Sequence, residues 1–249
     1  MKLLAWVLTL CLLLTSVSTG LAEAPAPLLQ ARARLEDLGF EIDDKVYQDV
    51  QQMFLEANRY LEEAGSSAMP SISEEDYAYT LLMFIGMGDY DYDTCTWTPT
   101  SDRIYVFDAE FFNIQGMYTE FLQGVQSIAT DAVFTDVSED LSGMDEQFDG
   151  TRKVSFSCNG VPYTCELTSS GDWIDPQIIR YVNQALEEQN CSGQLHLISD
   201  YYDQIVFLIY GSEETAREMR LLLGTEETAI LPSIGAPRDT LLYLITNLF

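Results

Sequence analysis

Two carboxylates three residues apart, in Gly-Asp-Trp-Ile-Asp-Pro, are the first candidates for acid–base chemistry. Asp172 and Asp175 would serve a secreted hydrolase if their carboxyl groups lay about 5–10 Å apart, as they do in enzymes that cleave glycosidic bonds. Asp175 has a second interpretation, because it precedes Pro176 and a helical pattern, where aspartate caps a helix. We therefore assign no catalytic residue, and a secreted hydrolase with paired carboxylates is kept as the alternative function.

Tryptophans in turn-like surroundings are the candidates for ligand binding. Trp173 follows Asp172, and Trp97 lies in Cys-Thr-Trp-Thr-Pro. Exposed rings beside carboxylates stack on sugars or anchor protein interfaces, although either ring would equally serve to cover an edge of the core. Trp97, Trp173 and Asp172 are thus the candidate binding residues for a protein or glycan ligand.

Alternating aspartates in Gly-Asp-Tyr-Asp-Tyr-Asp are a candidate metal site. Asp89, Asp91 and Asp93 have the spacing with which many calcium loops begin, because alternate carboxylates can converge on one hard cation. The match to an EF-hand then fails, since Thr94 and Thr100 stand where that loop needs Gly and Glu. Calcium is therefore a candidate ligand, and a solvated acidic connection is the alternative.

A nucleophilic triad has little support in this sequence. Any Ser-His-Asp or Cys-His centre must use His196, the single histidine, which alternates with Leu195 and Leu197 in a predicted strand. The sequence also lacks the Gly-x-Ser-x-Gly nucleophile elbow. These observations favour a protein that is not an enzyme of this kind.

The first residues have the pattern of a cleaved secretory signal over residues 1–24. Lys2 is followed by an apolar run over residues 3–14 and by small residues before Ala22 and Ala24. That run is too short for a transmembrane helix, which needs about 20 apolar residues, and no second run of that length follows. We expect a secreted or extracytoplasmic protein with no transmembrane segment after cleavage.

Net charge excludes nucleic acid as a partner. Removal of residues 1–24 leaves 11 basic and 39 acidic residues, so the net charge is 11 − 39 = −28. With three lysines in the whole chain, the basic patch that nucleic-acid binding requires cannot be assembled. Such a charge favours solubility and cationic or divalent partners.

Four cysteines remain once Cys11 leaves with the signal: Cys95, Cys158, Cys165 and Cys191. An even number in an oxidising compartment predicts two disulfides, with three possible pairings. The Asn159-Gly160 dipeptide predicts a two-residue hairpin turn, which places Cys158 and Cys165 four residues out of register and beyond the roughly 7 Å limit for a disulfide. Each then pairs with Cys95 or Cys191, or stays a buried thiol. A wider six-residue loop would instead allow Cys158 to pair with Cys165.

Hydrophobic periodicity predicts a helical portion over residues 25–90 and an α+β domain over residues 102–224. In the helical portion, helices are predicted at residues 28–38, from Asp43 to Gly65, and from Ser73, where Asp76 completes a capping box. Residues 225–249 are predicted to form a C-terminal segment packed on the fold.

The order of elements in the second portion is predicted as β-α-β-β-β-α-β-β-α. Asn113 is a candidate cap for its first helix, residues 132–137 are a weaker strand, and residues 138–150 are an acidic loop before the hairpin. Runs of adjacent strands predict an α+β fold with a mainly antiparallel sheet and helices on one face, preceded by the helical portion.

Three stretches of this domain resemble uncharacterised small α+β proteins of Gram-positive bacteria of the clostridial and bacillar kind. The stretches are residues 105–125, 155–163 and 172–175, and the resemblance covers roughly residues 103–222. Because no activity is attached to that group, the resemblance implies the fold and a bacterial source but transfers no site residue. With the signal and the charge, it predicts an exported, non-catalytic protein that binds a partner at or outside the cell surface.

Overall fold

The computed structural model describes residues 24–64, 72–91, 96–198 and 204–225. Residues 1–23 of the predicted signal, Asp93, Cys95 and the C-terminal segment from residue 226 lie outside these ranges. The chain divides into two compact units, Met1–Ile85 and Gly86–Phe249.

Three helices form the described part of the first unit: α1 (Ala26–Asp37), α2 (Asp44–Glu63) and α3 (Glu74–Gly86), which extends one residue past its boundary. Helix α2 begins at Asp43, whose carboxylate accepts a hydrogen bond of 2.6 Å from the Lys45 amide. The predicted capping box of α3 is confirmed, because Ser73 Oγ accepts from the Asp76 amide and Asp76 Oδ2 accepts from the Ser73 amide.

The second unit contains all the strands that the structure describes. Its elements are β1 (Asp89–Asp91), β2 (Thr96–Thr98), β3 (Ile104–Asp108), a 3₁₀ turn (Ile114–Gly116), α4 (Met117–Ile128), β4 (Phe134–Met144), β5 (Gly150–Cys158), β6 (Val161–Ser169), α5 (Gln177–Glu188), β7 (Gln194–Leu197), β8 (Ile205–Gly211) and α6 (Glu213–Leu223). From β3 onward this is the predicted order, and the antiparallel α+β class is confirmed.

The strands form one two-stranded ribbon and two three-stranded sheets, all antiparallel. β1 pairs with β2, one sheet has the order β3-β8-β7, and the other has the order β4-β5-β6. Helix α4 packs against β3 and β4, helix α5 packs against β6 and β7, and α6 packs against β7 and β8. Because α4 and α5 each contact both three-stranded sheets, one hydrophobic core joins the two.

The hairpin between β5 and β6 has the predicted register. Cys158 is opposite Val161, and Val154 is opposite Cys165. Asn159 and Gly160 have φ angles of 50° and 80°, the left-handed conformations that a type I′ turn requires at both positions. This register keeps Cys158 and Cys165 apart.

Strand β4 corrects the prediction of an acidic loop over residues 138–150. The strand continues to Met144, pairs with β5 along its length and has two register shifts, between Thr135 and Ser138 and between Asp140 and Gly143. It is an edge strand whose side chains are largely exposed, so its sequence carries no apolar alternation. Phe134 and Val137 pack partly against the core, and the inward Glu139 is a charged side chain that periodicity alone assigns to solvent.

Glu139 is buried because it neutralises Arg152 and caps helix α4. Glu139 Oε2 accepts a hydrogen bond of 2.8 Å from Arg152 Nη1, and the two side chains are 3% and 0% exposed. Its other oxygen accepts from the backbone amides of Tyr118 and Thr119, the first residues of α4. The predicted cap Asn113 instead accepts from the Gly116 amide and caps the start of the preceding 3₁₀ turn.

None of the helices in the described part of the chain combines the length and the apolar character that crossing a membrane requires.

Candidate functional site

Two backbone segments that carry exposed aromatic rings are paired at one end of β3. The Phe111 amide donates to the Asp172 carbonyl at 2.8 Å, and the Ile174 amide donates to the Ala109 carbonyl at 3.0 Å. Between these bonds Glu110 and Trp173 form an antiparallel bridge. The loop after β3 and the turn before α5 therefore form one structural piece.

The local sequence explains why both segments adopt this geometry. Gly171 has a φ of 58°, and the Trp173 amide donates to the Ser170 carbonyl at 3.2 Å, which closes a tight turn before the bridge. Phe111 and Ile174 then enter the core and are 7% and 5% exposed. Buried neighbours on both segments hold the exposed side chains in place.

Phe112 and Trp173 are the exposed aromatic residues of this piece. The Phe112 residue is 105% exposed and Trp173 is 37% exposed. Full exposure of a phenylalanine has no benefit for folding, because burial of an apolar side chain is what stabilises the native state. Trp173 is thus partly accessible, and the fully exposed Phe112 is a residue that sequence reasoning missed.

Carboxylate residues lie on the same two backbone segments as the two rings. Residues directly opposite in an antiparallel pair project to the same face, so the Glu110 carboxylate lies on the same face as the Trp173 ring. Burial, as the largest cause, raises the pKa of Asp108, and the charge of Asp172 adds to that rise. We use the name aromatic surface for Phe112 and Trp173 together with Asp108, Glu110 and Asp172.

Asp175 has a structural role beside this surface. Its Oδ1 accepts from the Gln177 amide at 2.9 Å, at the start of α5, and its Oδ2 accepts from the Thr168 amide at 2.8 Å. The Asp175 amide donates to the Tyr118 hydroxyl at 3.1 Å. Both carboxylate oxygens are thus engaged by backbone amides, as expected of a helix cap, and they hold the turn that presents Trp173.

Trp97 differs from Trp173 in its surroundings. Its Nε1 donates to the Met87 carbonyl at 2.7 Å, and its ring packs edge-on against the buried Tyr105 ring with 5.5 Å between centroids. Because the indole polar group is satisfied internally and the ring lies against the core, Trp97 covers the core edge. The structure does not bring Trp97 and Trp173 together through any contact described here.

Two of the three predicted calcium ligands lie on an exposed strand. Asp89 and Asp91 belong to β1, opposite Thr98 and Thr96, and Asp93 lies outside the described residues. Within the ranges that the structure describes, no three His, Cys, Asp or Glu side chains are placed to hold a metal ion. The calcium site therefore stays a prediction.

The three cysteines in the described residues are free thiols. Cys158 and Cys165 are buried, and Cys191 is partly exposed after α5. Burial raises the pKa of Cys158 to about 11 and that of Cys165 to about 12, so both are protonated at neutral pH. The two predicted disulfides are not formed in this structure, and Cys95 lies outside the described part of the chain.

His196 lines an open cleft of about 550 Å³ together with Cys191 and Glu213. Its Nε2 lies 3.2 Å from the Gly211 carbonyl, and its Nδ1 lies 3.1 Å from Glu213 Oε2. Both partners are acceptor oxygens, which favour a proton on the ring nitrogen that faces them. This arrangement does not suit a ring nitrogen that takes a proton from Cys191. Burial lowers the pKa of His196, although both contacts oppose that change.

No protein-family model, curated protein or solved structure matches this chain. The functional argument therefore depends on the chain's own geometry.

Proposed function

We propose that this chain is an exported bacterial protein without catalytic activity, and that the aromatic surface docks a cationic segment of a partner protein. The observation that carries the proposal is the full exposure of Phe112 on a backbone segment hydrogen-bonded to the segment of Trp173. Exposed aromatic rings on a rigid support are typical anchors of protein interfaces.

Charge favours a cationic partner over a neutral one. The chain carries a net charge of −28, Glu110 is opposite Trp173, and Asp108 and Asp172 are nearby in the same two segments. A guanidinium or ammonium group gains both from the face of an aromatic ring and from a neighbouring carboxylate. The negative field also accelerates encounter with a cationic segment.

Export of the protein is part of the same proposal. It is supported by the secretory pattern of residues 1–24 and by the acidic composition of the remaining chain. In an oxidising compartment the cysteines of such a protein are able to form disulfides. Expression of the full chain in a Gram-positive host, followed by mass analysis of the culture medium, tests export and the cleavage position together.

Direct binding tests the docking role. The purified protein without residues 1–24 is titrated with a ten-residue peptide of alternating arginine and serine, with its glutamate–serine counterpart, and with a neutral oligosaccharide of N-acetylglucosamine. We expect saturable binding of the arginine peptide alone, with affinity that falls as salt rises. Binding of the oligosaccharide instead of the peptide would overturn the proposed partner class.

A hydrolysis screen tests the statement that the protein is not an enzyme. Glycan and peptide substrates are incubated with the wild-type protein and with the Asp172→Asn variant. We expect no turnover with either protein. Turnover by the wild type that is abolished in the variant would replace a binding function by a hydrolase with paired carboxylates.

A further inference from the structure

Cys158 and Cys191 lie where the β5–β6 hairpin approaches the turn after α5. Cys191 packs against the hydrophobic core that contains Cys158. Burial, as the largest cause, raises the pKa of Cys158, Cys191 adds to that rise, and Cys158 is in turn among the groups that set the pKa of Cys191. The side-chain amide of Asn159, the residue next to Cys158, also donates to Cys191 Sγ at 3.7 Å. Two segments that are 191 − 158 = 33 positions apart in the sequence are thus brought together beside both cysteines.

The other described cysteine is excluded from this contact by the strand register. Cys165 is opposite Val154 and its Sγ lies 3.7 Å from the Val154 carbonyl, whereas Cys158 is opposite Val161. A disulfide needs the two Cα atoms within about 7 Å, which residues four positions out of register do not satisfy. Among the three cysteines that the structure describes, Cys165 is therefore excluded as the partner of Cys158, and Cys191 is the cysteine whose sulfur contacts the hairpin turn.

We propose that Cys158 and Cys191 are joined by a disulfide in the oxidised protein. Cys191 is partly exposed and lines the open cleft, so a disulfide donor reaches it first. Its thiolate attacks one sulfur of the donor and releases the first donor thiol, which leaves a mixed disulfide on Cys191. Loss of a proton from Cys158 and attack on the Cys191 sulfur then form the protein disulfide and release the second donor thiol.

The donor is a small-molecule disulfide or the disulfide of an oxidoreductase, which takes up both electrons and both protons as two thiols. The supply of this donor in the cell rests on the proposed export, whereas the pairing rests on the positions of Cys158 and Cys191 in the fold. The aromatic surface has no part in it, so the proposal is independent of partner binding.

The environment of both sulfurs predicts slow exchange in the folded state. Burial raises the pKa of Cys158 to about 11, and burial together with the Asp131 carboxylate raises the pKa of Cys191 above its ordinary value. Both groups are then mostly protonated at neutral pH, and the thiol is not the attacking species. The disulfide is expected to form during folding and to have a structural role.

Peptide mapping under non-reducing conditions tests the pairing. The protein is refolded with oxidised and reduced glutathione, alkylated and cleaved with trypsin, which separates residues 154–180 from residues 181–217 and from the segment that contains Cys95. We expect one species that joins 154–180 to 181–217 and that disappears on reduction. It should persist in the Cys165→Ala variant and be absent from the Cys158→Ala variant.

Thermal unfolding gives a second readout that does not depend on the peptide map. Reduction of the wild type and of Cys165→Ala should lower Tm by about 10 °C, because the bond closes a loop of this length, whereas reduction of Cys191→Ala should leave Tm unchanged. Complete alkylation of both cysteines after oxidative refolding, or linkage of either to Cys95, would overturn the proposal.

Discussion

The Phe111 amide donates a hydrogen bond of 2.8 Å to the Asp172 carbonyl, and this bond fastens the loop before α4 to the turn before α5. Phe112 and Trp173 follow immediately on the two bonded segments, so their backbones have a fixed relative position. A pre-organised pair of this kind loses little conformational entropy when a partner binds. The role of the aromatic surface depends on this rigidity more than on the number of exposed rings.

Removal of each ring should have different effects on stability. Phe112→Ala should leave the free energy of unfolding within about 0.5 kcal/mol of wild type, because the ring is fully exposed. Trp173→Ala should lower it by about 1–2 kcal/mol, because most of that side chain is covered. Urea unfolding measures both values. An equal loss in Phe112→Ala would mean that the ring packs on the protein and is not free to dock a partner.

The buried Arg152–Glu139 pair should be the most sensitive position in the second unit. Arg152→Met or Glu139→Gln should each lower the free energy of unfolding by about 3–5 kcal/mol, because either change leaves a buried group without its partner. The double variant should lose less than the sum of the two single variants. A double-mutant cycle in urea measures the difference, and strictly additive losses would contradict the contact.

The cap at Asp175 should matter for stability, whereas Asp172 should not. Asp175→Ala removes both acceptors at the start of α5 and should lower the free energy of unfolding by about 1–2 kcal/mol. Asp172→Ala is the matched control, and it should change stability by less than about 0.5 kcal/mol. The two variants are compared by chemical denaturation. Equal losses would show that the Asp172 side chain also supports the turn.

Asp131 should make stability depend on pH below neutrality. Hydrogen bonds from the Tyr210 hydroxyl, at 2.5 Å, and from the Ser192 amide, at 2.6 Å, lower its pKa in the folded state. A lowered folded pKa contributes stability that is present above the unfolded value, about 3.9, and is lost as pH falls through the folded value.

Tyr210→Phe removes the larger of the two hydrogen-bond effects on the pKa of Asp131. The difference in unfolding free energy between pH 7 and pH 3 should therefore become smaller. Tyr181→Phe, on a partly exposed ring of α5, is the control and should retain the wild-type difference. Urea titrations at the two pH values provide the measurement. An unchanged difference in Tyr210→Phe would contradict the assignment of the shift to this hydroxyl.

Local signals were sufficient to predict the β5–β6 hairpin and the starts of helices α2 and α3. The Asn159-Gly160 turn specifies its own register because both residues tolerate positive φ, and the Ser73–Asp76 capping box depends on neighbours only three residues apart. The part of β4 beyond Val137 was predicted as a loop because it contains the inward Glu139, whose partner Arg152 lies on another strand. A charge buried by a distant partner has no local signature.

Only some residues of the aromatic surface were predicted, because the exposure of a side chain also depends on partners that are distant in the sequence. Trp97 and Trp173 have similar sequence surroundings, and their difference arises from the Met87 carbonyl, which satisfies the Trp97 indole. Phe112 carried one usable signal, since two consecutive phenylalanines at the end of a strand cannot both project into the same core. Its position beside Trp173 depends on long-range backbone pairing and could not be predicted from spacing.

Calorimetric titration of the arginine–serine peptide into four proteins tests the docking role most directly. The proteins are wild type, Phe112→Ala, Trp173→Ala and Tyr181→Ala, which removes a ring with the same 37% exposure as Trp173 from helix α5. We predict that Kd rises at least about tenfold in the first two variants and stays within about twofold of wild type in Tyr181→Ala. Equal affinities in all four proteins, or no binding by the wild type, would contradict the aromatic surface as the docking site.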